Sequence, residues 1–163
     1  MPDEPATLEG RCACGEVRYR LAGRPFAVHC CHCRDCQRET GSAFVLNGLI
    51  ETPHVEVTAG DPETILTPSA SGKGQRIVRC KACHVALWSH YGGMGGKAAF
   101  VRVGTLENPD ACPPQVHIFT RSRQPWFVLP MDAPAFDVFY SRDDLDTLFG
   151  EDGAARWRTL RGG

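Results

Sequence analysis

Neither sign of charge dominates this chain of 163 residues: 18 Lys and Arg stand against 19 Asp and Glu, a formal net charge of −1. No basic run and no alternation of aromatic with basic residues tracks a phosphate backbone, so nucleic acid is not an expected partner. Long hydrophobic runs are missing as well. Nowhere do about 18 apolar residues follow one another, which argues against a membrane-spanning helix. The opening residues Met1-Pro2-Asp3-Glu4-Pro5 are acidic and lack the apolar stretch of a secretory leader. A soluble, cytoplasmic chain with reduced thiols is expected. Internal repeats and low-complexity blocks are also lacking. The stretch Gly92-Gly93-Met94-Gly95-Gly96 is too short to link domains, and because Lys97 is followed by Ala98 it lacks the lysine and hydroxyl pair of a phosphate-cradling loop.

What the chain does have is cysteine, nine in all, and seven of them fall into three tight clusters. These are Cys12-x-Cys14, Cys31-x-Cys33-x-x-Cys36 and Cys80-x-x-Cys83. Cysteines one or two residues apart can turn two thiolates toward one tetrahedral ion, with each sulfur about 2.3 Å from the metal. Two such pairs close a four-sulfur zinc site that serves folding. Three protein ligands leave a fourth corner for water or a substrate thiol, so the triple cluster is the candidate for chemistry. Other readings exist for each group. A disulfide framework is disfavoured by the odd count and the expected reducing compartment. The alternative for the triple is a second structural zinc, closed by Cys30, His32, or a distant His29, His90 or His117. Cys30 reads as a small buried residue, since neighbours on an extended chain point opposite ways. Cys112 stands apart from any paired spacing.

The remaining pattern is mostly period two. Glu16-Val17-Arg18-Tyr19-Arg20-Leu21 alternates charged and apolar residues as a half-buried strand does, which places the first cysteine pair on a turn leading into it. Further short strands are predicted at 43–50, 55–58, 64–66, 76–79, 86–89, 98–103, 116–119 and 136–139, between Gly, Pro and polar turns. Helix is predicted from 34 to 40, ending near Gly41, and in a tail beginning at Ser141, with Asp144 three residues on. The domain reading is a mainly β domain over residues 1–140 and a helical tail over 141–163. Trp88, Phe100, Phe119, Trp126 and Phe127 are expected in the core. Arg34, Arg38 and Lys81 flank the clusters and suit either carboxylate recognition or a solvated surface. His32 is placed to tune a metal or accept a proton, or simply to face solvent.

The segments 10–19, 31–38 with Gly41, 80–83, 103–106 and 117–126, in that order, carry a specific resemblance. Over residues 9 to 130 the chain resembles the glutathione-dependent formaldehyde-activating enzyme family, also called the CENP-V/GFA domain family. The resemblance implies a single compact Mss4-like domain of short antiparallel strands stapled by zinc. It implies two zinc ions per chain: a structural one on Cys12, Cys14, Cys80 and Cys83, and a catalytic or exchangeable one on Cys31, Cys33 and Cys36. It also implies a carbon–sulfur lyase similar to S-(hydroxymethyl)glutathione synthase, with glutathione and formaldehyde as small-molecule partners. The contrasting expectation is a non-catalytic binding module stabilised by two structural zinc sites.

Overall fold

Alternating side chains and frequent Gly and Pro leave little room for long helices, and the computed structural model, which describes residues 7–162, is accordingly built on short strands. The acidic residues 1–5 lie outside the described residues. In chain order the strands are β1 (Thr7–Arg11), β2 (Arg18–Ala22), β3 (Ala27–Cys31), β4 (Val45–Glu51), β5 (Val55–Ala59), β6 (Glu63–Thr67), β7 (Gln75–Arg79), β8 (Ala86–Tyr91), β9 (Ala98–Arg102) and β10 (Val116–Ile118). Two α-helices accompany them, α1 (Arg34–Thr40) and α2 (Leu145–Arg161). The protein is mainly β with a carboxy-terminal helix, as its sequence pattern predicts.

The chain folds into two compact units. One groups the chain up to Pro25 with Leu49–Ala111, the other Phe26–Gly48 with the chain from Cys112 onward. In the first unit, β1, β2 and β5 pair antiparallel in that order, as do β9, β8, β7 and β6. Gly10 stands opposite Tyr19 in the β1–β2 register. A Cβ there would lie 2.3 Å from the Tyr19 ring, so glycine is what lets the ring lie across β1. The fully buried Tyr19 donates its hydroxyl proton to Thr105 Oγ1 at 2.6 Å and meets Trp88 edge-on at 5.4 Å. Leu21, Ile77, Leu87 and Val101 complete this core.

In the second unit, β10 runs parallel to β3, with Val116, His117 and Ile118 opposite His29, Cys30 and Cys31. Every residue of β3 is buried, and its run of Ala, Val, His and two Cys shows no alternation, so it goes unpredicted, as does β1, although the equally buried β9 and β10 are predicted. The strand predicted at 136–139 is not formed. Ala135 makes an isolated parallel bridge to His117, and the segment beyond it follows β10 irregularly through Phe119 N–H to the Val138 carbonyl at 2.7 Å. Helix α1 occupies the predicted 34–40 span and stops at Gly41, whose φ of 67° needs no Cβ penalty. At the tail, Ser141 and Asp144 form the predicted capping box, and a kink at Gly150 interrupts α2. Beyond that kink Trp157 meets Phe26 edge-on at 5.8 Å, while Phe149 stacks on Phe26 at 5.9 Å. The tail is thus packed into the second unit.

Candidate metal centres and thiolate site

Two similar loops build the first centre. Cys12 N–H donates to the Val17 carbonyl and Cys80 N–H to the Val85 carbonyl, at 3.0 and 3.1 Å, so each cysteine pair sits on a loop pinched shut by the same five-residue hydrogen bond. Inside each loop one residue takes a left-handed backbone: Gly15 with φ 79° and His84 with φ 60°. The pinch turns the side chains inward. Cys12, Cys14, Cys80 and Cys83 bring their sulfurs within 4.8 Å of one another. Cys12 and Cys14 sulfurs lie 3.4 Å apart, and those of Cys14 and Cys80 3.7 Å. Sulfurs about 2.3 Å from a tetrahedral ion would be spaced at about 3.8 Å, so the donor set fits zinc. Val17 N–H donates to Cys12 Sγ at 3.3 Å, a contact that favours thiolate. The Cys83 thiol is held down to about 6, first by the backbone of Cys14 and then by that of Val85.

The second unit carries the triple. Cys31 ends β3, Cys33 caps α1, and Cys36 lies in the first turn of α1. Their sulfurs also lie within 4.8 Å of one another, and among the described residues no further Cys, His, Asp or Glu donor completes the group. The Cys33 thiol is driven down to about 3, chiefly because Cys31 and Cys36 donate to its sulfur, with backbone N–H groups assisting. One of these is Cys36 N–H, 3.3 Å away. The Cys31 thiol is pushed up by the same partnership. The backbone contact from Cys36 favours thiolate at Cys33.

Gln37, one residue beyond, holds α1 in place. Its amide donates to the carbonyls of His32 and Ser122 at 2.8 and 2.9 Å, and its carbonyl accepts from Arg34 and Gln124 at 2.8 and 2.7 Å. Nothing in the sequence pattern marks Gln37 for this part, because two of its four partners, Ser122 and Gln124, lie far along the chain. Arg34 keeps its place beside this network, and Arg38 is largely exposed with Asp35 at 3.6 Å. Lys81, in the first unit, is engaged by the Asp61 carboxylate. Of the predicted aromatics, Trp88 and Phe100 are buried, Phe119 and Phe127 are half-buried, and Trp126 is 68% exposed, which overturns its expected core position.

The histidines considered for closing the triple do other things. His90 donates from Nδ1 to the Ala98 carbonyl at 3.0 Å, and His29 pairs through Nε2 with the Tyr140 hydroxyl at 2.8 Å. Cys30, His32 and His117 gather into a separate, fully buried group. Burial lowers the His32 imidazole to about 4 and raises the Cys30 thiol to about 12. None of the nine cysteines is joined in a disulfide. Among the described residues no helix is long and apolar enough to cross a membrane.

Comparison with known proteins follows the same geometry. A family model described as glutathione-dependent formaldehyde-activating enzyme matches residues 7–122, a span that includes all seven clustered cysteines. A Halomonas elongata protein, which carries the provisional name glutathione-dependent formaldehyde-activating enzyme, is 30% identical over 91 residues, covering 50% of this chain and 54% of that protein. The match thus spans about half the length of that relative. A crystal structure of a Rhodobacter sphaeroides protein is similar at a TM-score of 0.49 and 16% identity, over 78% of this chain and 99% of that one.

Proposed function

The chain belongs to the glutathione-dependent formaldehyde-activating enzyme family, and from that membership we propose that it catalyses addition of the glutathione thiol to formaldehyde. The observation that carries this reading is the Cys31, Cys33 and Cys36 cluster, three sulfurs on one centre with no fourth protein donor among the described residues. Cys12, Cys14, Cys80 and Cys83 would hold one zinc ion with every corner filled, and the triple a second with one corner left for an exogenous thiol. Zinc bound at the triple supplies Lewis acidity that lowers the pKa of such a thiol toward neutrality.

The chain's own residues do the rest. Cys36 N–H keeps negative charge on Cys33 Sγ, and Gln37 fixes α1 so that the three sulfurs keep their spacing. Arg34 and Arg38, on the same helix, suit the two carboxylates of glutathione. In the reaction a sulfur lone pair attacks the formaldehyde carbon, the carbon–sulfur bond forms, and the carbonyl π pair moves to oxygen. That oxygen takes up a proton matching the one the thiol released, giving S-hydroxymethylglutathione with nothing oxidised or reduced. The reverse breaks the carbon–sulfur bond, which makes the activity a carbon–sulfur lyase. Nine cysteines without a disulfide among them support a reducing compartment such as the cytoplasm.

Because formaldehyde and glutathione combine without help, the test must resolve exchange above background. Magnetisation-exchange NMR with carbon-13 formaldehyde and glutathione should show saturable acceleration that scales with protein and vanishes in Cys33→Ser. Exchange at the background rate with fully zinc-loaded protein would refute the assignment.

A further inference from the structure

Strand β3 presents ligands on both faces. Alternation along an extended chain sends Cys31 and Cys33 one way and Cys30 and His32 the other. The parallel register of β10 then sets His117 opposite Cys30, on the same face. Cys30 Sγ lies 3.6 Å from His32 Nε2, and His32 Nε2 lies 3.0 Å from His117 Nδ1. With bonds of about 2.3 Å to sulfur and about 2.05 Å to nitrogen, a three-coordinate ion spaces S and N by about 3.8 Å and N and N by about 3.6 Å. The observed pair distances of 3.6 and 3.0 Å fall short of these by about 0.2 and about 0.6 Å, so the two rings would turn apart on binding.

We infer that Cys30, His32 and His117 form a third metal site, closed to solvent and suited to copper(I). The three residues are 2, 0 and 3% exposed. Phe127 lies 4.9 Å from the His32 ring and 5.9 Å from that of His117, and Phe44 lies 5.7 Å from His32. His32 Nδ1 has no hydrogen-bond partner, and those aromatic faces are the surroundings in which its N–H would rest when Nε2 binds a metal.

Charge selects the ion. Zinc on a single thiolate would leave one uncompensated positive charge in an apolar pocket already under the field of Arg123. Copper(I) with the Cys30 thiolate is neutral. Among the described residues the site also offers three donors and no fourth, and its burial leaves no water to fill the corner that tetrahedral zinc would keep open, whereas a soft monovalent ion accepts three donors. Binding replaces the thiol proton of Cys30, which leaves to solvent, and no electron is transferred.

Copper binding at this site is independent of the proposed reaction. Full-length zinc-loaded protein is given one equivalent of copper(I) as its acetonitrile complex without oxygen, desalted, and studied by metal counting and copper-edge X-ray absorption. The expected result is one copper per chain, bound by one sulfur and two nitrogens, with zinc retained. In competition with bicinchoninate, His117→Phe and Cys30→Ala should each retain at least tenfold less copper. A shell of three or four sulfurs with mole-for-mole zinc release would overturn the inference, as would copper lost from the parent on desalting or retained by both variants as fully as by the parent. The absorption measurement uses unaltered protein, so it decides the ligand set even where a variant fails to fold.

Discussion

Among single residues, the two proposed metal centres differ in what losing one sulfur should do. Cys33 is half-buried at the start of a short helix, so Cys33→Ser should remove one zinc, abolish exchange above background and leave most of the thermal stability. Cys80 is fully buried in a pinched loop, and Cys80→Ser should unfold the first unit, because metal-binding energy there is folding energy. Equal loss of fold in both, followed by circular dichroism and zinc counting, would contradict the division of labour. His29 supplies a pH prediction. Burial holds it at about 4 against an ordinary 6.5, so the unfolded chain takes up the proton first as pH falls. Its contribution is intact above about 6.5 and drains away toward pH 4, a loss on the order of 3 kcal/mol. Urea midpoints measured across that window should fall less steeply for His29→Gln than for the parent. The cysteine clusters are legible in the sequence, since their spacing is a local property, and the structure gathers each into one group of sulfurs. The His117 partnership is not, because it depends on a parallel register between residues 85 positions apart.

Among the elements, burial alone does not decide which strands the sequence pattern reveals, since β9 and β10 are buried throughout and predicted, whereas β1 and β3 are missed, β3 because Ala, Val, His and two Cys give no alternation. Helix α1 is legible from its Gly41 stop and α2 from its capping box, each a signal within a few residues. The 136–139 run misleads because its alternation is realised as an irregular segment beside β10 after Pro134. Two substitutions test the packing. Gly10→Ala drives a methyl into the Tyr19 ring, which is already fixed by Trp88 and Thr105, and should destabilise by about 1–3 kcal/mol. Phe149→Ala removes the ring stacked between α2 and Phe26 and should cost about 3 kcal/mol. Thermal unfolding midpoints would check both, and an unchanged midpoint for Gly10→Ala would mean the ring has room to move.

Across the molecule as a whole, each compact unit carries its own sulfur centre, closed in the first and short of one donor in the second. Family membership agrees with the reading of the motifs, while the substrate rests on the chemistry of the open centre. That openness can be read directly by native mass spectrometry of untagged protein, before and after glutathione is added. The predicted result is two zinc ions and one bound glutathione for the parent, and one zinc ion with no glutathione for Cys33→Ser. Two zinc ions and no bound glutathione in either protein would contradict an open thiol-activating centre and leave two structural sites in its place.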